Sequence, residues 1–454
     1  MPDQLTAQLL ALAAESGASA AGVTTAEAFR DELSALHAAK TSARSGPLRF
    51  TYDEPDIATD IMRSFPWAKR LVVVGHNYLA AASTPGPTGA VVARFATSDN
   101  YTQVERITDA LATELHDRGY QAEVLIDDNR LVDRAAARRA GVGWSGRNTM
   151  VLAPAHGPWM LLGSVVTDAP LETTDPMQRN CGTCVACFPA CPTNALDDQG
   201  LDARRCLSTW LQTPGSIPPW IRPYLGRRIY GCDDCLTACP PGSRSLAQAG
   251  ERRIDMPFHD LLAMTDDELL DRFSWWYVPR REGRFIRRNA LIAAGNSGER
   301  EAFDSIESHL HHASSMIRGH AAWALARGFE TDAAPLLREA LEEETVAEAR
   351  DELTLAILMI ENPNAYSGVL KADEWVRTDE TLRALALTTP GSLLVLSTSP
   401  EGSHHPDTRE LRLTISDVDL DDTVGSLMAD AVIVYDSDRL LENARRLATR
   451  ITFS

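Results

Sequence analysis

The 454-residue sequence has no long hydrophobic segment and no typical export signal. A membrane-spanning helix needs a run of about 18 apolar residues, and no such run occurs. The first residues, MPDQLTAQLLALAAESG, lack the basic beginning and the longer apolar stretch of a secretory signal. These absences predict a protein of the cytosol with no membrane partner.

Positive charge is also scarce, since the formal net charge is −19 at pH 7. An even spread of that charge would oppose binding to nucleic acid, because phosphates need a positive surface. The spread is uneven: residues 201–290 hold 14 Lys and Arg against 11 Asp and Glu, a balance of +3. A basic surface in the middle of the chain therefore remains compatible with the sequence.

Only eight cysteines occur, and all of them lie between residues 181 and 239. Disulfides are uncommon in a reducing cytosol, so metal ligation is expected. The first run is Cys181-x2-Cys184-x2-Cys187-x3-Cys191-Pro192. Its spacing is that of bacterial ferredoxins, in which the fourth cysteine binds the neighbouring cluster.

The second run, Cys232-x2-Cys235-x3-Cys239-Pro240, is one cysteine short, and Cys206 is the only one left to complete it. We therefore predict two [4Fe–4S] clusters, because each then has four thiolates. Four-thiolate zinc sites are the alternative. The predicted ligands are Cys181, Cys184, Cys187 and Cys239 for cluster 1, and Cys191, Cys206, Cys232 and Cys235 for cluster 2.

The pattern of apolar residues predicts a multidomain protein that combines α/β and all-α parts. Residues 1–170 alternate helices (5–16 and 102–119) with strands (71–78, 121–127 and 159–167). Residues 171–245, rich in Cys, Pro and Gly, cannot build their own core and must be held by another part of the chain. Residues 246–362 carry helical segments at 287–296, 317–328 and 346–358, which are typical of HEAT-like repeats.

Residues 363–454 predict a further small α/β domain with no assigned role. Its expected strands are 391–399, 410–416 and 430–436, and its expected helix is 439–450. Four acidic residues precede the last strand, at Asp417, Asp419, Asp421 and Asp422. They indicate an acidic loop, with a metal site as the alternative.

Several segments together resemble the epoxyqueuosine reductase family over about residues 1–360. They are LIDDNRLVDRAAARRAGVGWSGRNTMVL (125–152), MLLGSVVTD (160–168), LDARRC (201–206), RRIYGCDDC (227–235) and RGHAAWAL (318–325), in addition to the cysteine runs. The resemblance implies a cobalamin-dependent iron–sulfur reductase that converts epoxyqueuosine to queuosine in the anticodon loop of tRNA. It also implies an external one-electron donor, a cobalamin-binding catalytic domain at 1–170 and a ferredoxin-like domain at 171–245.

The resemblance places the family's proton donor at Asp127. A carboxyl group at a strand end beside an apolar cofactor would have a raised pKa and could hold a proton. Asp128 is an alternative donor, and a solvated turn or helix cap is the alternative role for Asp127. Positions near the corrin match Ser208, Asp233, Asp234, Val151 and Leu162, for which packing or surface roles are the alternative.

A segment before the helical repeats combines aromatic residues with arginines and predicts contact with RNA. Splayed bases stack on aromatic rings, and arginines neutralise phosphates. A solvated basic helix with aromatic residues in the core is the alternative. The residues are Trp275, Trp276 and Tyr277 with Arg280, Arg281, Arg284, Arg287 and Arg288.

Four stretches depart from the family pattern, and we expect them to line the active site. The family's Gly-x-Asp-Tyr-His is Ser98-Asp99-Asn100-Tyr101-Thr102, and Ser164 and Thr213 stand where the family has Glu. The usual Trp-Asn is Pro241-Gly242. The departures leave two alternatives open: a corrinoid iron–sulfur reductase of a small molecule, and a non-catalytic iron–sulfur electron carrier or adaptor.

Overall fold

The computed structural model describes residues 4–79, 84–249, 253–363, 366–367 and 370, and four strands between 382 and 436. Its first region is built on a four-stranded sheet in the order Ala20–Thr25, Arg70–Asn77, Met160–Thr167, Ala122–Leu125. All three pairings are antiparallel. The sequence pattern located three of these strands and missed Ala20–Thr25. Alternating helices and strands are typical of a parallel sheet, so the pattern also did not reveal the direction of the strands.

Helices cover both faces of this sheet, because alternate strand residues point to opposite sides. Val72, Val74 and Val165 pack under the helices Gln4–Glu15 and Tyr101–Asp117. Leu71, Val73 and Val166 face the helix Asp133–Arg139. The other elements of the region are the helices Arg30–Thr41, Pro55–Ala58 and Ile61–Ser64, the 3-10 turns Phe50–Tyr52 and Arg94–Ala96, and the short strands Thr84–Pro85, Val91–Val92, Trp144–Ser145 and Val151–Leu152.

One sheet edge is left open where the shortest strand stops. Leu125, the last residue of its strand, pairs with Ser164. On its other side, the strand Met160–Thr167 is paired along its whole length with Arg70–Asn77, up to the pair Met160 and Asn77. Among the residues that the structure describes, no strand pairs on that side with the half that holds Leu161 and Leu162, and both leucines are only partly buried.

The cysteine region is made of short elements that are tied to the first region. Its strand Arg228–Tyr230 pairs in parallel with Val91–Val92. Just beyond the region, Arg253–Ile254 pairs in parallel with Thr84–Pro85. These pairings supply the support that the segment cannot provide for itself. Its other elements are the helices Cys187–Ala190, Leu207–Leu211, Arg222–Leu225, Asp234–Thr237 and Pro240–Gln248 and the hairpin strands Leu196–Asp197 and Gly200–Leu201.

The following region is helical, as the repeat pattern predicts. Gly295 allows a close crossing of two of its helices, because an added Cβ there would lie 2.6 Å from the Cα of Ala324. The longest helix is interrupted at Glu330 (φ +28°), shortly before Pro335. The elements are Phe258–Ala263, Asp266–Arg272, Arg284–Ser297, Phe303–Ser308, Ser315–Glu343 and Ala347–Glu361, with 3-10 turns at Pro279–Arg281, Arg300–Ala302 and His309–His311.

Buried polar contacts join the helical region to the cysteine region. The fully buried Arg222 forms two hydrogen bonds with Glu352, at 2.8 and 2.5 Å. His320, also fully buried, accepts a hydrogen bond from the Ile217 amide at Nε2. Burial lowers the pKa of His320 well below its usual value, so the ring is neutral and can accept this bond.

The C-terminal residues that the structure describes form a four-stranded sheet of Glu410–Thr414, Ser392–Ser397, Leu382–Thr388 and Val432–Asp436, in that order. Three of these strands overlap the predicted ones, and Leu382–Thr388 is an additional strand. The predicted helix 439–450 and the acidic residues 417–422 lie outside the described residues. Among the described residues, no helix has the length and apolarity needed to cross a bilayer.

Candidate active site and cluster region

Asp127 lies at the open sheet edge, two residues after the strand Ala122–Leu125 ends. Its φ of +47° places it in the left-handed region, which is uncommon for a residue other than glycine and turns the chain sharply. The Tyr101 hydroxyl donates a hydrogen bond to Oδ2 of Asp127 at 2.5 Å. Burial, followed by the charge of Asp127, raises the pKa of Tyr101, so this hydroxyl keeps its proton and remains a donor.

Asp128 is in a different environment from its neighbour. Its carboxylate accepts hydrogen bonds from the backbone amide of Arg130 at 2.8 Å and from the guanidinium at 2.9 and 2.6 Å. The side-chain bonds from Arg130 are the main reason that the pKa of Asp128 is lowered. Since a carboxylate held in its charged form is a poor proton donor, Asp127 is the better candidate of the two.

A third carboxyl group, that of Asp133, is close enough to Asp127 for the two charges to repel each other. Burial raises the pKa of Asp133 well above its usual value, and the charge of Asp127 raises it further. The side chain keeps some exposure, but its Oδ1 is enclosed and has no hydrogen-bond partner among the described residues. Asp133 starts the helix Asp133–Arg139, and its position beside Asp127 was not predicted from the sequence.

Tyr230 connects this carboxylate group with the cysteine region. Its hydroxyl lies 3.2 Å from Oε1 of Gln212 and 3.1 Å from the carbonyl oxygen of Tyr277. Gln212 in turn donates to the hydroxyl of Ser208 at 2.9 Å. Burial is the main cause of the raised pKa of Tyr230, and the charge of Asp127 adds to it. Ser208 is therefore linked by hydrogen bonds through Gln212 to Tyr230, and Asp127 acts on Tyr230 only through its charge.

The other residues predicted near a corrin are largely occupied by contacts within the protein. Asp233 accepts from the Arg94 backbone amide at 2.7 Å and pairs with its guanidinium at 3.4 Å. Asp234 pairs with Arg228 at 2.7 and 2.8 Å. Val151 is buried within an apolar cluster against which the partly buried Leu162 packs. Of this set, Leu162 lies in the half of its strand that extends beyond the open edge.

The eight cysteines are all free thiols. The pKa of Cys187 is raised first by burial and then by the charges of Cys239, Cys181 and Cys184. Repulsion from Cys181 and Cys184 likewise adds to the effect of burial on Cys239. The backbone amide of Arg147 donates to Sγ of Cys181 at 3.4 Å. Cys239 therefore lies near the first run, and its role as a ligand of cluster 1 stays a prediction.

The remaining four cysteines form a second group. Burial raises the pKa of Cys232 to about 12, and Cys206 is among the neighbours whose charge contributes. Burial also raises the pKa of Cys235, with further contributions from Cys232, Cys206, Cys191 and Cys187. Cys235 thus has a neighbour from the first group as well. The assignment of these four cysteines to cluster 2 stays a prediction.

The thiols fit iron–sulfur clusters by their chemistry as well as by their grouping. Buried thiols with raised pKa values do not ionise in isolation, whereas iron binds the thiolate form and offsets the cost of burying its charge. Backbone amides that donate to sulfur, as the Ala195 amide does to Cys191 at 3.2 Å, are typical of the surroundings of such clusters.

Part of the predicted RNA segment is buried, which corrects the sequence-based prediction. Arg287 is 5% exposed and is held by Asp266 and by the carbonyl oxygens of Leu262 and Met264. Arg288 is fully buried and donates to backbone carbonyl oxygens of residues 210, 213 and 215. Neither guanidinium can reach a phosphate.

The aromatic residues of that segment also divide between core and surface. Trp276 is buried and stacks between Phe273 and Tyr230, with ring centroids 3.9 and 4.3 Å away. The indole nitrogens of Trp275 and Trp276 both donate to the carbonyl oxygen of Ala96. Tyr277 is 52% exposed. Arg280 and Arg281 are exposed, and Arg284 is partly buried and paired with Glu282.

Three of the four departures from the family pattern do not line the site, contrary to expectation. Ser164 is fully buried in the sheet. Thr213 is buried and donates to the carbonyl oxygen of Thr209. The backbone of Gly242 accepts from the Trp159 indole, and an added Cβ would lie 2.2 Å from the oxygen of Leu236. Only the stretch 98–102, which carries Tyr101, reaches Asp127.

Comparison with known proteins gives a consistent result. A family model described as a 4Fe-4S double cluster binding domain matches residues 180–242, and a HEAT repeat model matches residues 284–357. The epoxyqueuosine reductase of Bacillus subtilis is 30% identical over 380 residues, which cover 79% of this chain and 96% of that protein. The epoxyqueuosine reductase of Xanthomonas campestris is 30% identical over 72% of this chain and 97% of its own length.

Solved structures agree with these relatives. A selenomethionine-labelled epoxyqueuosine reductase superposes with a TM-score of 0.72 at 28% identity, covering 79% of this chain and 99% of that one. An epoxyqueuosine reductase bound to an epoxyqueuosine-modified tRNA-Tyr stem loop gives a TM-score of 0.70 with the same identity and coverage. In a further structure, from Bacillus subtilis, a loop with a catalytic aspartate is swung out of the active site.

Proposed function

Because this chain belongs to the epoxyqueuosine reductase family, we propose that it reduces epoxyqueuosine to queuosine in the anticodon loop of tRNA. The observation that carries the proposal is the pairing of Asp127 with Tyr101 at the open sheet edge, in a chain that covers 96% of a 30% identical relative. The chain is accordingly an oxidoreductase with a double-cluster domain and HEAT repeats.

Removal of the epoxide oxygen requires two electrons and two protons. Both C–O bonds of the epoxide break, a carbon–carbon double bond forms, and the oxygen leaves as water. We assign Asp127 as the proton donor to the departing oxygen. The hydrogen bond from the Tyr101 hydroxyl holds the carboxyl group of Asp127 in one orientation, and a fixed orientation favours proton transfer to the substrate. The bonds from Arg130 favour the charged form of Asp128, and this supports Asp127 over Asp128 as the donor.

We propose that the electrons pass through two [4Fe–4S] clusters with the ligand sets stated above. Support comes from the grouping of the thiols, in which Cys235 neighbours Cys187 across the boundary between the two sets. Clusters held by interleaved cysteines lie close together, which favours rapid one-electron transfer. An external one-electron donor would supply the first cluster.

We further propose that cobalamin binds along the open edge of the sheet. Leu161 and Leu162 offer a partly exposed apolar surface there, as a corrin face requires. Asn148 is buried, and its Nδ2 has no hydrogen-bond partner among the described residues, which fits a donor for a cofactor amide. When bound, cobalamin would supply a strongly reducing cobalt centre. The chain itself would position the nucleoside and hold the proton at Asp127.

A single-turnover assay tests this function. The protein is reconstituted without oxygen, supplied with cobalamin and a chemical reductant, and mixed with an epoxyqueuosine-modified stem loop. Queuosine is then measured by mass spectrometry. We expect Asp127→Asn to reduce the rate by about 100-fold or more, the usual contribution of a general acid. The matched control Asp128→Asn should stay within a few-fold of the wild type.

Iron content and cobalamin binding are measured for each protein, so that a loss of cofactor is not read as a loss of the acid. A wild-type protein that retains both cofactors and forms no queuosine would refute the proposed substrate. Unchanged turnover by Asp127→Asn would remove this residue as the proton donor and leave the substrate assignment intact.

A further inference from the structure

Two exposed aromatic side chains from distant parts of the sequence meet at the surface. Phe50 is 39% exposed and Tyr277 is 52% exposed, and both stand out among the large apolar side chains that the structure describes. Their ring centroids are 5.2 Å apart, and the ring planes are inclined by 59°. Two adjacent exposed aromatic rings present an apolar surface that a partner can bury favourably.

Both rings are held on firm supports. The Tyr277 carbonyl oxygen lies 3.1 Å from the Tyr230 hydroxyl, and the preceding Trp276 is fixed in its aromatic stack. Phe50 begins the short 3-10 turn Phe50–Tyr52 with φ +39°, a conformation that is uncommon outside glycine. A rigid aromatic surface loses little conformational entropy when a ligand stacks on it.

The pair lies beside the proposed active site. The Tyr230 hydroxyl lies 3.1 Å from the Tyr277 carbonyl oxygen and 3.2 Å from Oε1 of Gln212, whose side chain donates to Ser208, a residue of the proposed site. A nucleotide adjacent to one that reaches Asp127 would therefore pass close to the two rings. Proximity to the reacting position distinguishes this pair from Tyr224, which is 44% exposed and packs edge-on against Trp220.

Arginines flank the rings on both segments. Arg49 precedes Phe50 and is exposed. Arg280 and Arg281 follow Tyr277 after a short interval, and both adopt φ +53°. The Arg280 side chain is 68% exposed, and its contact with Glu282 is a distant one of 3.9 Å. Aromatic faces bordered by guanidinium groups suit an unpaired base and its phosphates.

We propose that Phe50 and Tyr277 form a stacking platform for one unpaired base of the tRNA anticodon loop, next to the nucleotide that is reduced. The inference rests on the proposed function and adds the residues that hold the loop. The platform binds by stacking, so it tolerates different bases, whereas Asp127 acts on the nucleoside that is reduced.

The test measures the affinity of an anticodon stem loop and of versions in which each loop nucleotide in turn is abasic. Tyr277→Leu keeps apolar volume but removes the aromatic face, and Tyr277→Phe keeps the face. We expect Tyr277→Leu to weaken binding of the intact loop by about tenfold. In the wild type, removing the base that stacks on the platform should weaken binding of the stem loop. In Tyr277→Leu, removing that base should no longer weaken binding, whereas Tyr277→Phe should behave like the wild type. Tyr224→Leu is the matched surface control.

Two results would overturn the platform. Tyr277→Leu could bind the intact loop as tightly as the wild type, or it could keep its full sensitivity to every abasic position. Cluster absorbance and thermal unfolding of each variant show whether its fold is retained, and Phe50→Leu provides a second variant with the same expectation. Wild-type turnover on the modified stem loop is measured in parallel, so failure of the platform is distinct from failure of the proposed function.

Discussion

Replacement of Asp133 by asparagine should change how stability depends on pH. The enclosed Oδ1 of Asp133 has no hydrogen-bond partner among the described residues, and burial raises the pKa of this carboxyl group with a further contribution from Asp127. In the unfolded chain, the same carboxyl group titrates near its ordinary pKa of about 4. The folded protein therefore keeps a proton at Asp133 over a pH range in which the unfolded chain has already released it.

The sign of the effect follows from this difference. Because the folded state binds one more proton, the free energy of unfolding decreases as pH rises from about 4 towards the raised pKa. The slope approaches about 1.4 kcal/mol per pH unit while the two states differ by a full proton. An asparagine side chain does not titrate, so Asp133→Asn should gain stability relative to the wild type as pH increases through this window.

Thermal unfolding of the anaerobic protein between about pH 5 and 8 measures the difference. Because the protein has several domains, the comparison uses the shift in Tm between wild type and variant at each pH rather than a single free energy. Asp109→Asn, on the exposed side of the helix Tyr101–Asp117, is the control and should give a constant shift. A constant shift for Asp133→Asn as well would refute the reasoning.

Three further predictions concern the clusters, the buried ion pair and the active site. Cys206→Ser should lower the iron content from about eight towards about four atoms per chain, whereas an unchanged cluster spectrum would contradict its assignment to cluster 2. Glu352→Gln removes the carboxylate that pairs with the fully buried Arg222 and should cost about 3–5 kcal/mol, seen as a lower Tm. Tyr101→Phe should slow single turnover by about tenfold, in keeping with the loss of the one hydrogen bond that positions the Asp127 carboxyl group, while cobalamin binding stays unchanged.

The substrate side of the molecule is less altered than the sequence suggests. Ser164, Thr213 and Gly242 replace family residues in places where the structure packs them into the interior. A small neutral side chain at a buried position avoids the cost of burying a carboxylate. Thr213 donates to the carbonyl oxygen of Thr209, whereas the Oγ of Ser164 has no hydrogen-bond partner among the described residues. The stretch 98–102 is the departure that reaches the site, where Tyr101 contacts Asp127.

The sequence alone predicted the features that depend on residues close together in the chain. Cysteine spacing predicted the cluster region that the double-cluster family model matches, and helical periodicity predicted the repeats that the HEAT model matches. The strand Ala122–Leu125 was likewise visible in the sequence from its apolar residues, although the prediction extended it two residues too far, to Asp127.

Tertiary structure decided what depends on residues far apart in the chain. Arg287 and Arg288 have the same side chain as Arg280 and Arg281, yet the first two are buried by packing against other elements and the last two face solvent. The contact of Phe50 with Tyr277 joins segments with no shared pattern. Burial and long-range contacts arise only when elements pack, and composition and periodicity record only the faces that are available for packing.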